Sequence, residues 1–295
     1  RRLRDRLATL DVPALRGLIR AFSVYFDLIN LAEQQARVRA LRKRAGTKAD
    51  GPTAETPEAA LKHLRDRGVG AAEVAAHLGR SAVIPVFTAH PSEARRRTIL
   101  EKLAAVAGQL DRIEYTKLSV HEQAAAVGEI AEEVEALWLS DTARATRPSV
   151  LDEVRQVLGV VEGRLFDVVP RVYREVEDAL ARTYPTVARD VPAFLRFGSW
   201  IGGDRDGHPN VTAAVTAAAV KLQRETVLRQ HLTRVEDLWR RLSYSDRFVT
   251  PGPAFRESLA RDAELFPDLA PPGHEPYRAK CRYIEAKLKR TLDHV

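Results

Sequence analysis

Two polar strings in this chain carry residue types that could do chemistry. The first is Thr88-Ala89-His90-Pro91-Ser92-Glu93, followed closely by Arg95, Arg96 and Arg97. Histidine is the side chain best suited to moving a proton near neutral pH. Ser92 has the chemistry of a helix N-cap, which places the three arginines in the first turn or so of the helix that follows. Cations there oppose the helix dipole, and a helix built only for stability would carry acids instead. An anion at that helix start would meet free backbone N–H groups and guanidinium groups together. The plainer alternative is a histidine hydrogen-bonded in a turn beside surface arginines.

The second string is Gly202-Gly203-Asp204-Arg205-Asp206-Gly207-His208-Pro209-Asn210. Its three glycines permit positive φ and close approach of backbone to a ligand. The acids and Arg205 put both charge signs in one loop. It is not a dinucleotide fingerprint, because the G-x-G-x-x-G spacing is absent. Nor is it a calcium loop: Asp204 and Asp206 match two positions, but the later ligands and the terminal Glu are missing. A structural turn pinned by Asp–Arg pairing is the alternative. Zinc is set aside, since no two of the eight His stand three or four residues apart and Cys281 is the only cysteine. A Ser–His–Asp triad lacks its G-x-S-x-G elbow.

Each string follows a short apolar segment, Ala82 to Ala89 (AVIPVFTA) and Phe194 to Ile201 (FLRFGSWI). Both are β-branched or aromatic and too short for ordinary helices, so they read as strands. Strand, polar loop and long helix in that order predict units of a parallel α/β sheet, whose functional groups gather at the carboxyl ends of the strands. Pro85 counts against a central position for the first strand. Alternation puts Arg196, Gly198 and Trp200 on one face and Phe197, Ser199 and Ile201 on the other, while His90 shares a face with Thr88 and Val86. His90 and Trp200 are therefore expected to point to one interior, with the Gly202–Gly207 loop beside them.

The rest of the chain is helical in its apolar spacing. Leu15, Leu18, Phe22, Tyr25 and Ile29 step by three and four, as one buried face requires. Val120, Val127, Ile130, Val134 and Leu137 repeat the pattern, as do Leu151, Val154, Leu158, Val161, Leu165, Val168 and Val172. Pro170 is expected to kink that third segment. A fourth helix is expected from about Val211 to Leu242, with Leu228, Leu232, Val235, Leu238 and Leu242 inward. The polar run from Gly46 to Pro57 (GTKADGPTAETP) predicts a flexible linker at 45–57 within one incomplete domain, 1–295. A second break, Phe266 to Pro276, precedes the last helix.

A chain of 295 residues, 45% apolar, can bury a sizeable core. Its charged residues make up 29% and mix both signs, which excludes a disordered chain. No run approaches the roughly 20 apolar residues of a membrane span, and no signal peptide opens the sequence. One cysteine excludes a disulfide framework and fits a reducing cytosol, so a cytoplasmic protein is expected. The net charge is +7, with 38 Arg against 9 Lys. That excess suits bidentate recognition of phosphate or carboxylate, or follows from codon usage. Because acids accompany the bases along the helices, no nucleic-acid partner is expected. The chain has no Met and opens inside a helical pattern at Arg1, as a segment of something longer would.

The strings FTAHPSEARRRT (87–98) and FGSWIGGDRDGHPNVT (197–212) resemble two signature regions of phosphoenolpyruvate carboxylase. RAFSVYFDLINLAEQ (20–34), RPSVLDE (147–153) and EPYR (275–278) agree in order and spacing, so the resemblance spans nearly the whole chain. Ser92 and His208 depart mildly from the family, which commonly has Thr and Asn there. The resemblance implies formation of oxaloacetate and phosphate from phosphoenolpyruvate and bicarbonate, with Mg²⁺ or Mn²⁺. It implies that His90 takes the proton from carboxyphosphate and that Trp200 helps form the apolar wall of the bicarbonate/CO₂ pocket. Arg96, Arg97, Arg205, Asp206 and the loop glycines Gly202, Gly203 and Gly207 match motif positions near that site. It further implies a homotetrameric enzyme in an anaplerotic, carbon-fixing role, with metal ligands and further phosphate-binding arginines downstream of Val295. The fold implied is the amino-terminal part of a helix-rich (β/α)₈-type barrel, α/β but predominantly helical, holding the first two parallel strands. On this reading the isolated segment is inactive. The alternative is a short non-catalytic relative acting as a binding or regulatory module.

Overall fold

Helix starts in this chain are written by short polar residues and proline. Asp11 accepts a hydrogen bond from the Ala14 N–H at 2.8 Å and opens α1, Val12–Gly46. Thr56 caps α2, Pro57–Asp66, with Pro57 preset for the first helical position. Two reciprocal capping boxes, Ser119 with Glu122 and Ser149 with Asp152, open α5 (Val120–Leu139) and α6 (Val150–Val160). In each box the acid accepts from the cap's own groups, which holds the Glu122 and Asp152 carboxyls below their ordinary range. Between the first two helices and these lie α3 (Ala71–Arg80), β1 (Val86–Phe87) and α4 (Arg97–Tyr115). After α6 come a π turn at Val161–Leu165, α7 (Phe166–Thr183), β2 (Gly198–Ser199), α8 (Ala213–Arg241), α9 (Pro253–Leu265) and α10 (Pro276–Asp293). This computed structural model describes residues 7–46, 54–88, 96–141, 148–187, 191–206, 208–269 and 273–295. Of the expected linker at 45–57, residues 47–53 lie outside the described ones, and α1 runs on to Gly46.

The chain forms two compact units, one of residues 1–80, 90–148 and 175–192, the other of 81–89, 149–174 and 193–295. In the first, α1, α4 and α5 enclose Val24, Leu31, Ile99, Leu103, Val106 and Leu137. Arg39 reaches from α1 to Glu114 on α4 with a fork of two hydrogen bonds, the second at 2.7 Å. The Tyr184 hydroxyl donates to the Val69 carbonyl at 3.0 Å, fixing the end of α7 in the same unit.

The buried face of α1 differs from the expected one. Val24, Leu28 and Leu31 face inward, while Phe22, Tyr25 and Ile29 are exposed. At 100° per residue the two sets are centred roughly 130° apart around the helix. Both sides are apolar, so spacing alone could not say which one α4 and α5 would cover. On α5 the inward set is Ala126, Ile130 and Leu137, with Val120 and Val127 exposed. On α8 it includes Ala219, Thr226 and Val235, while Leu238 is exposed. The third helical segment departs from α geometry at the π turn, just ahead of Pro170. That departure suits a proline, which lacks an N–H and crowds the preceding turn.

In the second unit the two apolar segments pair in parallel, as their sequences predict. Val86 faces Gly198 and Phe87 faces Ser199, with a further bridge between Val83 and Leu195. Val83 donates to Phe194 O at 2.8 Å, Arg196 to Val83 O at 2.9 Å and Gly198 to Pro85 O at 3.0 Å. Pro85 has no N–H for the rung that would fall at Arg196 O, which shortens the ladder. The strands are thus only two residues each, held by packing of Ile201 against Val154 on α6 and Ala219 on α8.

Candidate functional site

The Gly202–Asp206 loop leaves the carboxyl end of β2 with its backbone fixed. Upstream, the Tyr173 hydroxyl accepts from both the Phe194 and Leu195 N–H groups at 3.0 Å. At the strand end Trp200 N–H donates to Phe87 O at 2.9 Å, and the Trp200 carbonyl accepts from Gly203 and Asp204 at 3.0 and 2.8 Å. Ser199 Oγ accepts from the Ile201 N–H at 3.2 Å and tightens the same turn. Ile201 is buried, and Gly202 next to it has φ +81°. A Cβ on Gly202 would fall 2.7 Å from the Ala219 Cβ and 3.0 Å from Val154 Cγ2, so glycine is required for conformation and for space.

Beyond that anchor the side chains open outward. Asp204, Arg205 and Asp206 are exposed. Asp204 Oδ1 accepts from the Asp206 N–H at 3.0 Å, so the carboxylate turns the backbone, where the alternative reading had Asp–Arg pairing pin the turn. Gly207 lies outside the described residues. His208 is half-buried, its N–H donates to Arg205 O at 3.3 Å, and its ring Nδ1 is buried without a described hydrogen-bond partner. Val211 then donates to His208 O, and Thr212 caps α8 by accepting from Val215 N–H at 3.3 Å. Trp200 is 60% exposed at the strand end.

A cavity of about 400 Å³ adjoins the strand pair on its apolar side. Phe87 and Phe197, stacked at 6.1 Å, form one wall with Ser199, and Leu158, Val161 and Leu165 form another. Trp200 does not line it.

His90, the proposed proton acceptor, lies outside the described residues, as do Ser92 and Arg95. β1 ends at Phe87, and the described helix starts ten residues on, at Arg97. Its N-cap is Arg96, with no side-chain cap, so the cap expected at Ser92 is not that of α4. The Arg96 backbone is extended there, and Nη1 donates to the Asp141 carbonyl at 2.9 Å. The first turn of α4 holds no acid to match its dipole. Arg97 opens the helix, and its side chain lies outside the described residues.

Ser199, Val154 and Ala219 shape the loop, and the sequence did not single them out as functional. Within the RPSVLDE string, Ser149 and Asp152 start α6 and Leu151 packs beneath the loop. Among the described residues no three His, Cys, Asp or Glu side chains converge as a metal-ion site. No described helix is long and apolar enough to cross a membrane.

With this geometry in place, comparison with known proteins is specific. The family model for phosphoenolpyruvate carboxylase matches residues 1–295. A phosphoenolpyruvate carboxylase of Roseiflexus castenholzii is 44% identical over 99% of this chain, which covers 32% of that protein. One from Xanthomonas campestris pv. campestris is 37% identical over 95% of the chain and 31% of its own length. One from Rhodopseudomonas palustris is 35% identical over 96% of the chain and 30% of its own length. The chain belongs to the phosphoenolpyruvate carboxylase family. It spans about a third of the length of these curated relatives.

Proposed function

We propose that this chain is the amino-terminal part of a phosphoenolpyruvate carboxylase that forms oxaloacetate and phosphate from phosphoenolpyruvate and bicarbonate. The observation that carries this reading is the family match along all of residues 1–295, which includes both signature strings. Bicarbonate oxygen attacks the phosphorus of phosphoenolpyruvate, the P–O bond to the enol breaks, and carboxyphosphate and the pyruvate enolate form. His90 takes the carboxyl proton of carboxyphosphate, which then separates into CO₂ and phosphate. The enolate carbon bonds to CO₂ and gives oxaloacetate, and phosphate recovers the proton. A positioned histidine contributes ~10²–10⁴-fold to such a step.

Trp200 supplies an apolar surface that suits uncharged CO₂ and keeps water from protonating the enolate. The fixed turn at Ser199–Gly202 sets where its ring begins. Arg96, Arg97, Arg205 and Asp206 are assigned to the substrate side, with Gly202, Gly203 and Gly207 letting the backbone come close. The divalent ion of the reaction, Mg²⁺ or Mn²⁺, supplies charge stabilisation when bound. The family resemblance assigns its ligands outside this segment. β1 and β2 are read as the first two strands of a (β/α)₈-type barrel. The enzyme is read as a cytoplasmic homotetramer with an anaplerotic role, and the 295-residue segment by itself as inactive.

The test is made in the full-length protein, with oxaloacetate, pyruvate and phosphate measured separately. His90→Asn is expected to depress carboxylation strongly while keeping the fold, since only proton transfer is lost. Trp200→Ala is expected to raise the pyruvate share or weaken bicarbonate use. Wild-type rates and product ratios in both variants would remove these two residues from the site. Metal-dependent oxaloacetate formation by the 295-residue chain, followed by reduction to malate, would refute its inactivity.

A further inference from the structure

The cavity of about 400 Å³ on the apolar side of the strand pair has neither Trp200 nor any residue of the Gly202–Asp206 loop in its wall. Its described lining residues all belong to the second unit, from the two strands, α6, the π turn, α7 and α8. We propose that it binds a small uncharged molecule with an aromatic or branched hydrocarbon body and one hydrogen-bonding end.

Its walls suit hydrocarbon. The Phe87 and Phe197 rings, with planes 19° apart, form an aromatic side. Val157, Leu158 and Leu165 add branched aliphatic side chains where the helix widens into its π turn, a departure that recurs at functional sites. Water is held poorly here. A buried water needs roughly two to four polar partners, and among the described lining side chains only Ser199 and Gln223 are polar. Apolar space left unfilled forfeits dispersion contacts on every wall.

The two polar side chains give the site a direction. Gln223, on α8, is half-buried and makes no hydrogen bond with a described residue. Its amide can both donate and accept, and half-burial removes water from it without a protein partner in exchange. Ser199 Oγ accepts from the Ile201 N–H, which leaves its own O–H to donate. A hydroxyl or carboxamide on a ligand meets both needs. A mostly apolar pocket with a few placed polar groups is the usual make-up of a small-molecule site, and 400 Å³ lies within the usual range.

Charge decides against an ion. None of the described lining side chains is acidic or basic. A carboxylate or ammonium entering the cavity gives up its hydration and finds no counter-charge there. An extended peptide fits poorly for a related reason. It brings a backbone N–H and C=O with every residue, and two polar side chains are too few to satisfy them.

The experiment uses 2-naphthol, uncharged at neutral pH, and 2-naphthoate, which carries a charge on the same rings. Binding to the full-length protein and to the 295-residue chain is measured by equilibrium dialysis. Saturable binding of 2-naphthol, one molecule per chain, is expected in both, with 2-naphthoate at least about tenfold weaker. Val227→Trp, which fills the cavity from α8, should weaken 2-naphthol about tenfold or more, and Gln223→Leu about fivefold. Val220→Trp, exposed on the same helix outside the cavity, should bind as the parent does. Circular dichroism checks that each variant keeps its helices, and Gln223→Leu carries the test if Val227→Trp unfolds. Non-saturable binding, equal affinity for 2-naphthoate, or parent-like binding in both cavity variants would overturn the proposal. So would binding by the 295-residue chain alone, which would mean that the rest of the parent covers the cavity.

Discussion

In the Gly202–Asp206 loop the backbone is spent on the fold and the side chains are left open. In the Glu275–Arg278 string, at the start of α10, the reverse holds. Arg278 Nε donates to the Trp239 carbonyl at 2.9 Å, and its Nη1 lies 3.2 Å from both Glu275 oxygens. The same guanidinium stacks 4.5 Å from the Trp239 ring centroid, with Arg282 on that ring at 5.1 Å. Both strings are signature-like and both carry arginine. What separates them is where the hydrogen-bonding capacity goes: into the chain itself at Arg278, toward solvent at Arg205.

The comparison can be broken most forcefully at Gly202. Gly202→Val is expected to cost about 3–5 kcal/mol, because strain at φ +81° adds to overlap with Ala219 and Val154. Urea unfolding measures it, and a cost under about 0.5 kcal/mol would mean that the loop backbone is not fixed.

A smaller effect is expected from Arg278→Lys. The ammonium keeps the charge but loses the fork and much of the stacking, for about 1–2 kcal/mol. Stability equal to the parent would place Arg278 with the open side chains.

The least change is expected from Arg205→Ala, within about 0.5 kcal/mol of the parent in stability. If the loop serves the substrate side, the same substitution in the full-length protein lowers carboxylation without shifting the unfolding midpoint. A marked loss of stability would erase the contrast with Arg278.

Much of this arrangement was legible in the residues. Valine, isoleucine and aromatic residues beside polar glycine loops marked both strands, whereas the caps Ser119, Ser149 and Thr212 were not singled out. The inward face of α1 was not legible, because Phe22 and Val24 are both apolar and only the neighbouring helices choose between them. The π turn has no residue signature, since Val161–Leu165 would serve equally in an α-helix. The need for glycine at 202 was visible as a possibility. Its strictness comes from Ala219, a contact that local spacing does not encode. Arg96 as an N-cap went against residue preference, and Asp141 stabilises its side chain from a distant part of the sequence. His90 was found by chemistry and resemblance alone.

The π turn at Val161–Leu165 has a consequence for how the chain tolerates changes of length. A π turn takes up one residue more than an α turn over a similar rise, so the helix on either side stays in phase as though that residue were absent. Leu151 and Val154 before it keep their place under the signature loop, and Val169 after it keeps its place at the cavity wall. Gly163, at the middle of the turn, has open space where a side chain would stand. A single-residue deletion there would straighten the helix and leave both flanks in register, whereas the same deletion in α8 would turn Ala219 or Val235 away from its partners.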